Sequence, residues 1–124
     1  MQIKIKTNNI APTDSLSLYV KEKILSVEKF LEALHENGEF VAEVEIGKTT
    51  KHHHSGDVFR AEVNIRGKGK FFRAVSEKDD LYAAIDDVRN EIVREINSYK
   101  GKERALFRRG AGMIKNLLRF GRTN

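Results

Sequence analysis

The sequence predicts an α+β domain of order β-α-β-β-β-α: a four-stranded sheet with two helices packed on one face. Three observations carry this. Four short segments alternate apolar and polar residues, as a half-buried strand does. Two long segments repeat apolar residues every three or four positions, the period of one helix face. A helix separates the first two strands, so they can lie parallel through a right-handed crossover. The three later strands have shorter links and suit an antiparallel meander.

Residues 2–7 alternate, with Ile3 and Ile5 on one face and Gln2, Lys4 and Lys6 on the other. After a connection from Asn8 to Pro12, Thr13, Asp14 or Ser15 can cap a helix by accepting from its free N–H groups. Leu16, Val20, Ile24, Val27, Leu31 and Leu34 then mark one face of a single helix of about twenty residues, which Asn37-Gly38 ends. Phe40 to Ile46 alternates as a second strand, and Gly47 to Asp57 is polar and loop-like. Phe59, Ala61, Val63 and Ile65 alternate with Arg60, Glu62, Asn64 and Arg66 in a third. Gly67-Lys68-Gly69 turns the chain into a fourth strand, Phe71 to Ser76, in which either Phe71 or Phe72 points inward. Ser76 with Asp79 resembles a capping box, with Asp for Glu. Leu81, Ile85, Val88, Ile92, Ile96 and Tyr99 form the strongest helical stripe in the chain.

At 124 residues the chain holds one domain, or one domain plus a tail. It has no cysteine, which excludes disulfides, iron–sulfur clusters, thiolate zinc sites and cysteine nucleophiles. No apolar run approaches the length that spans a bilayer, and the alternating N-terminus lacks a signal peptide's apolar stretch. The expected location is the cytoplasm. The net charge of +5 is unevenly placed. From Ser98 to Asn124 the bases Lys100, Lys102, Arg104, Arg108, Arg109, Lys115, Arg119 and Arg122 meet one acid, Glu103, for +7. Residues 1–97 carry −2. The division follows: 1–101 as an α+β body and 102–124 as a basic amphipathic tail. Such asymmetry fits an arm for nucleic acid or an anionic membrane, or simply a solvated terminus.

Catalytic and metal motifs are weak. His52-His53-His54 sits among polar loop residues with no H-x-x-x-H or H-E-x-x-H spacing, so a solvated loop outweighs a metal site. Gly67-Lys68-Gly69-Lys70 lacks the G-x-x-x-x-G-K-[ST] spacing and leads into a strand. Asp79, Asp80, Asp86 and Asp87 are accounted for by capping and solvation, with Asp86 placed to reach a sheet edge or loop. No enzyme, metal or cofactor is expected.

The helix faces say more. With the second helix unrolled at 100° per residue, Lys78, Arg89 and Lys100 fall together, beside Tyr82. Glu91 and Glu95 take the opposite flank, and Arg94 lies outward. Lys23 stands at the edge of the first helix's apolar stripe, where its stem is positioned to snorkel. Each residue alone reads as salt-bridged surface, but a basic edge running into a basic tail is harder to dismiss. Beyond Lys102, Leu106, Phe107, Ala111, Met113, Ile114, Leu117, Leu118 and Phe120 gather on one broad side of another amphipathic helix. Arg104, Arg108, Lys115, Arg119 and Arg122 gather opposite, with Arg109 the exception. Gly110 and Gly112 each cost about 1 kcal/mol against alanine, so this segment is expected to order on a surface.

The block Asp80-Leu81-Tyr82-Ala83-Ala84-Ile85-Asp86, opening a helix after three strands, resembles the short ribosome hibernation factors. These are the hibernation promoting factor and ribosome-associated translation inhibitor family, also known as sigma-54 modulation proteins. Met1-Gln2-Ile3-Lys4-Ile5, Asn8-Asn9-Ile10 and Val58-Phe59-Arg60-Ala61-Glu62-Val63-Asn64-Ile65 share the likeness, which covers about residues 1–104. The resemblance implies a fold similar to double-stranded RNA-binding domains. It implies a partner, the small ribosomal subunit and its rRNA, bound in the channel for mRNA and the A- and P-site tRNAs. The protein would compete with both ligands, block translation and catalyse nothing. Family basic positions match Lys23, Arg94, Lys100 and Lys102. Facial geometry and position add Arg66, Lys68, Lys70, Arg73, Lys78, Tyr82, Arg89, Arg104, Arg108 and Arg109 as rRNA contacts, although Tyr82 could equally be packed at the helix edge. Long members append a C-terminal domain that pairs ribosomes. This chain ends before such a domain, so a monomer is expected, with no membrane partner. The rival readings are a generic RNA-binding module and a membrane-surface protein anchored by the tail.

Overall fold

The computed structural model of the chain describes residues 1–34, 39–49 and 56–121, so Asn37-Gly38, His52-His53-His54 and Arg122 lie outside the described residues. The elements are β1 (Gln2–Asn8), α1 (Asp14–Leu25), α2 (Glu28–Glu32), β2 (Val41–Thr49), β3 (Val58–Gly67), β4 (Lys70–Lys78) and α3 (Leu81–Gly121). They form one four-stranded mixed sheet of order β1-β2-β3-β4. β1 is parallel to β2, and β2, β3 and β4 form an antiparallel meander.

Register sorts the side chains by face, because directly paired residues point the same way. Ile3, Ala42, Ile65 and Phe72 make one inward row, and Ile5, Val44, Val63 and Ala74 the next. The helices cover this side. Leu16, Val20 and Ile24 of α1, Leu31 of α2 and Ile85, Val88, Ile92 and Ile96 of α3 join the inward rows in one buried cluster. Phe72 is the inward ring, and Phe71 is 51% exposed on the far face. That face also carries Glu62, which accepts from Arg60, Asn64 and Arg73 at 2.8 to 3.2 Å. The Arg73 guanidinium, despite the opposing cost of burial, leads Arg60 and Asn64 in holding the Glu62 carboxyl below its usual range.

Four local expectations change. The first helix is not continuous: α1 stops at Leu25 and α2 starts at Glu28. The Ser26 hydroxyl donates back to the Lys23 carbonyl at 2.5 Å, and the Val27 N–H reaches Ile24 rather than Lys23. Such back-bonding and tightening bend a helix, yet Val27 and Leu31 both stay buried. Next, β2 runs on to Thr49, where a loop was expected from Gly47. Gly47 pairs with Asn8, and a Cβ there would meet the Asn8 carbonyl oxygen at 2.5 Å. Third, Ser76 belongs to β4 and donates to Asp87 at 2.6 Å, so it caps nothing. The cap of α3 is Asp80, whose carboxylate accepts from the Ala83 N–H at 2.9 Å. Fourth, the tail does not begin a new helix: α3 is a single helix of 41 residues.

The expected cap and turn are in place. Thr13 Oγ1 accepts from the Leu16 N–H at 3.2 Å. The β3–β4 turn has positive φ at both central residues, Lys68 (54°) and Gly69 (71°), the primed geometry that matches strand twist.

Candidate nucleic-acid interface

On the covered face of the sheet α1 and α2 lie beside α3 in one layer, and cations and rings converge in the groove between them. Tyr19 of α1 donates to the Asp86 carboxylate of α3 at 2.5 Å, and Lys23 sits 3.2 Å from the same oxygen. Asp86 therefore reaches α1 and not a sheet edge or loop. Burial alone would raise its pKa, but the Tyr19 hydroxyl and Lys23 outweigh that and hold it below the usual carboxylate range. The same hydrogen bond pushes Tyr19 up to about 12. Tyr82 packs edge-on against Tyr19 with centroids 4.8 Å apart and remains 43% exposed.

One helical turn further, the Arg89 Nε donates to the Ser26 hydroxyl at 2.9 Å. The break between α1 and α2 thus presents the oxygen that fixes this guanidinium. Phe30 of α2 lies 5.8 Å from the Arg89 guanidinium, 5.5 Å from the Lys100 ammonium and 5.2 Å from that of Lys29. Each cation–ring contact at a partly open site contributes about 0.5–1 kcal/mol. Burial and, secondarily, the Arg104 charge depress the pKa of Lys100. A nearby anion would offset both effects.

The remaining candidate residues separate into distinct places. Lys78 stands at the end of β4, 4.0 Å from Asp87, on the flank of α3 away from Arg89. It does not share the helix edge with Arg89 and Lys100, because the chain is still a strand at residue 78. Arg94 is bonded to Glu91, and the Glu95 carboxylate accepts the Arg73 N–H on the free edge of β4. This is the acidic flank expected for Glu91 and Glu95, and it lies across α3 from the groove. Arg66 stacks 5.2 Å from the Phe71 ring on the outer sheet face. Lys70 lies 5.8 Å from the Tyr99 ring, which also packs edge-on against Phe72 at 5.6 Å. Tyr99 thereby brings the end of the β3–β4 hairpin, with Lys68, to the stretch of α3 that leads into Lys102 and Arg104. Lys102, Arg104, Arg108 and Arg109 are exposed along that helix. One groove cluster, one hairpin end and one helical arm replace the single continuous edge expected from the helical wheel.

Sequence reasoning missed Tyr19, Lys29 and Phe30. Tyr19 and Phe30 each precede a stripe residue, Val20 and Leu31, so they border the buried face. That position was legible; which neighbour they meet depends on the break at Ser26.

The Tyr19–Asp86 clasp has a testable pH signature. Tyr19 is an acid with a raised folded pKa, so its contribution is present below about pH 10 and lost as pH rises from about 10 towards 12. Asp86 has a lowered folded pKa, so its contribution is lost as pH falls through the ordinary carboxylate range. Because Asp86 is half open, Tyr19→Phe should cost about 1 kcal/mol at neutral pH. Urea unfolding against pH should show a weaker alkaline fall in that variant; an unchanged alkaline limb would assign the fall elsewhere.

Among the described residues no helix is long and apolar enough to cross a membrane, and no group of three or more His, Asp or Glu side chains could hold a metal ion. The N-terminal domain of Protein Y from Thermus thermophilus superposes with a TM-score of 0.65 at 27% identity, covering 80% of this chain and 99% of that one. A ribosomal subunit interface protein from Coxiella burnetii shares the fold at a TM-score of 0.57 and 15% identity, covering 82% and 99%. A ribosome hibernation promotion factor from Picosynechococcus sp. is 31% identical over 103 residues, 82% of this chain and 50% of its own length. Its counterpart from Staphylococcus aureus is 32% identical over 100 residues, 81% of this chain and 48% of its own. The chain thus spans about half the length of the curated relatives it matches. The sequence model described as sigma 54 modulation protein / S30EA ribosomal protein matches residues 3–104, the sheet from Ile3 onward and α3 as far as Arg104, and it is to this family that the chain belongs.

Proposed function

We propose that the protein is a ribosome hibernation factor that binds the small ribosomal subunit in the channel for mRNA and the A- and P-site tRNAs. By occupying that space it blocks translation and preserves idle ribosomes under stress. The names of its relatives and of its family support the ribosome as partner. The observation that carries an RNA surface is the convergence of Lys23, Arg89 and Lys100 on a ring-lined groove, with Lys102 and Arg104 continuing along α3. Phosphates would release counterions at these cations, and backbone and shape contacts suffice without base readout. Arg66, Lys68, Lys70, Arg73, Lys78, Arg94, Arg108 and Arg109 are proposed as outlying contacts, and Tyr82 has an open face on which a base could stack. Inhibition by occupancy requires no reacting group, and the site of action is the cytoplasm.

Translation in a purified system with a short reporter mRNA tests the exclusion step. Inhibition should be relieved when mRNA and initiator tRNA are bound to the subunits before the protein is added. Equal inhibition in either order of addition would contradict exclusion from the channel.

A further inference from the structure

Beyond the sheet, α3 carries a second apolar stripe that nothing covers among the described residues. Leu106, Phe107, Met113, Ile114 and Leu117 are all exposed, Phe107 at 79% and Leu117 at 71%. At 100° per residue they fall within roughly 60–80° of Leu81, the line that also holds the buried Ile85, Val88, Ile92 and Ile96. The overhanging stripe therefore continues the packed one and lies on the same side of the helix as the sheet. Leu106 and Met113, and Phe107 and Ile114, stand one heptad apart across Gly110 and Ala111, and Leu117 follows three residues on, which matches the heptad repeat of a helix-pairing seam. No acid lies between Arg104 and Lys115, and of the four cations there Arg104, Arg108 and Lys115 face away from the stripe. Lys102 and Arg109 border the stripe on one side.

Each class of occupant meets these features differently. Phosphates satisfy the arginines but leave an aliphatic stripe wet. A flat bilayer pressed to the stripe runs into the body, because the sheet lies below the same side of the helix. A second copy running parallel sets Lys102 and Arg109 against identical charges, and an antiparallel one brings no acid to them, since Arg104 to Lys115 holds none. A slender helix with an apolar ridge and acidic borders fits beside the body, covers the stripe and neutralises the flank. We propose that the underside of α3 beyond Lys102 is a docking strip for an acidic amphipathic helix of another protein. The strip shares Lys102 and Arg109 with the proposed rRNA contacts, but its apolar side chains take no part in that reading.

The test uses the full chain and a labelled synthetic peptide of about three heptads, with Leu at the seam and Glu on its borders. A peptide of equal charge with Ser for Leu serves as control. Anisotropy titrations at near-physiological salt should show the Leu peptide binding at least about tenfold tighter than the Ser peptide. Phe107→Ser with Leu117→Ser should abolish that preference while the far-ultraviolet circular dichroism stays unchanged. Equal binding of both peptides, or binding of neither, would overturn the proposal. So would flotation of the protein with phosphatidylglycerol vesicles that the Leu peptide fails to displace, or a concentration-dependent dimer dissolved by the double substitution.

Discussion

Ile92→Ala should remove about 2–5 kcal/mol of folding stability, a large part of the roughly 5–15 kcal/mol that holds a domain of this size together. Ile92 has no exposed surface and sits at the centre of the α3 stripe that closes the core. Truncation loses the transfer energy of its methyl and methylene groups and leaves a cavity that a sheet-backed site cannot collapse to fill. Leu117→Ala on the same helix should change stability by less than about 0.5 kcal/mol, because that side chain is already in water. Urea titrations of both variants check this. Equal effects would mean that the overhanging part of α3 is packed against the body.

Replacing Lys100, Lys102 and Arg104 together by Gln should weaken binding to small subunits by about 10–100-fold and reduce the slope of log affinity against log salt by about 2–3. The size follows from removing up to three phosphate contacts, each releasing close to one counterion. Lys102 and Arg104 are exposed and Lys100 is half-buried beside Phe30, so melting should shift little. Filter binding across a salt series measures both quantities. An unchanged slope with an intact fold would move the contact surface away from this end of α3.

Most of the fold was legible because its signals are local. Alternation in β3 and the i, i+4 stripe of α3 each state a face, and a face needs a partner layer. What was not legible depends on neighbours. Phe71 and Phe72 are indistinguishable until the pairing of Ile65 with Phe72 sets the register. Ser26 looks like an ordinary helical serine; it becomes a break because its hydroxyl serves both the Lys23 carbonyl and the Arg89 guanidinium. Ser76 matched a capping pattern, but β4 runs two residues beyond it to Lys78, and this alone carries Lys78 off the helix edge. Charge and amphipathic pattern marked off a tail helix from Lys102, yet α3 carries through Gly101, because glycine's cost is small enough for helix on both sides to bear it. For the candidate site, the charges were visible in sequence. Their sorting into groove, hairpin end and arm required the rings of Tyr19, Phe30 and Tyr99 to be placed.

The central claim is tested most directly by sedimenting purified small subunits and whole ribosomes with the protein through sucrose gradients at low and high salt. The protein should travel with the small subunit and the whole ribosome at low salt, leave them as salt rises, and be displaced by bound mRNA with tRNA. Protein that remains at the top of the gradient at low salt, or that travels only with large subunits, would contradict it.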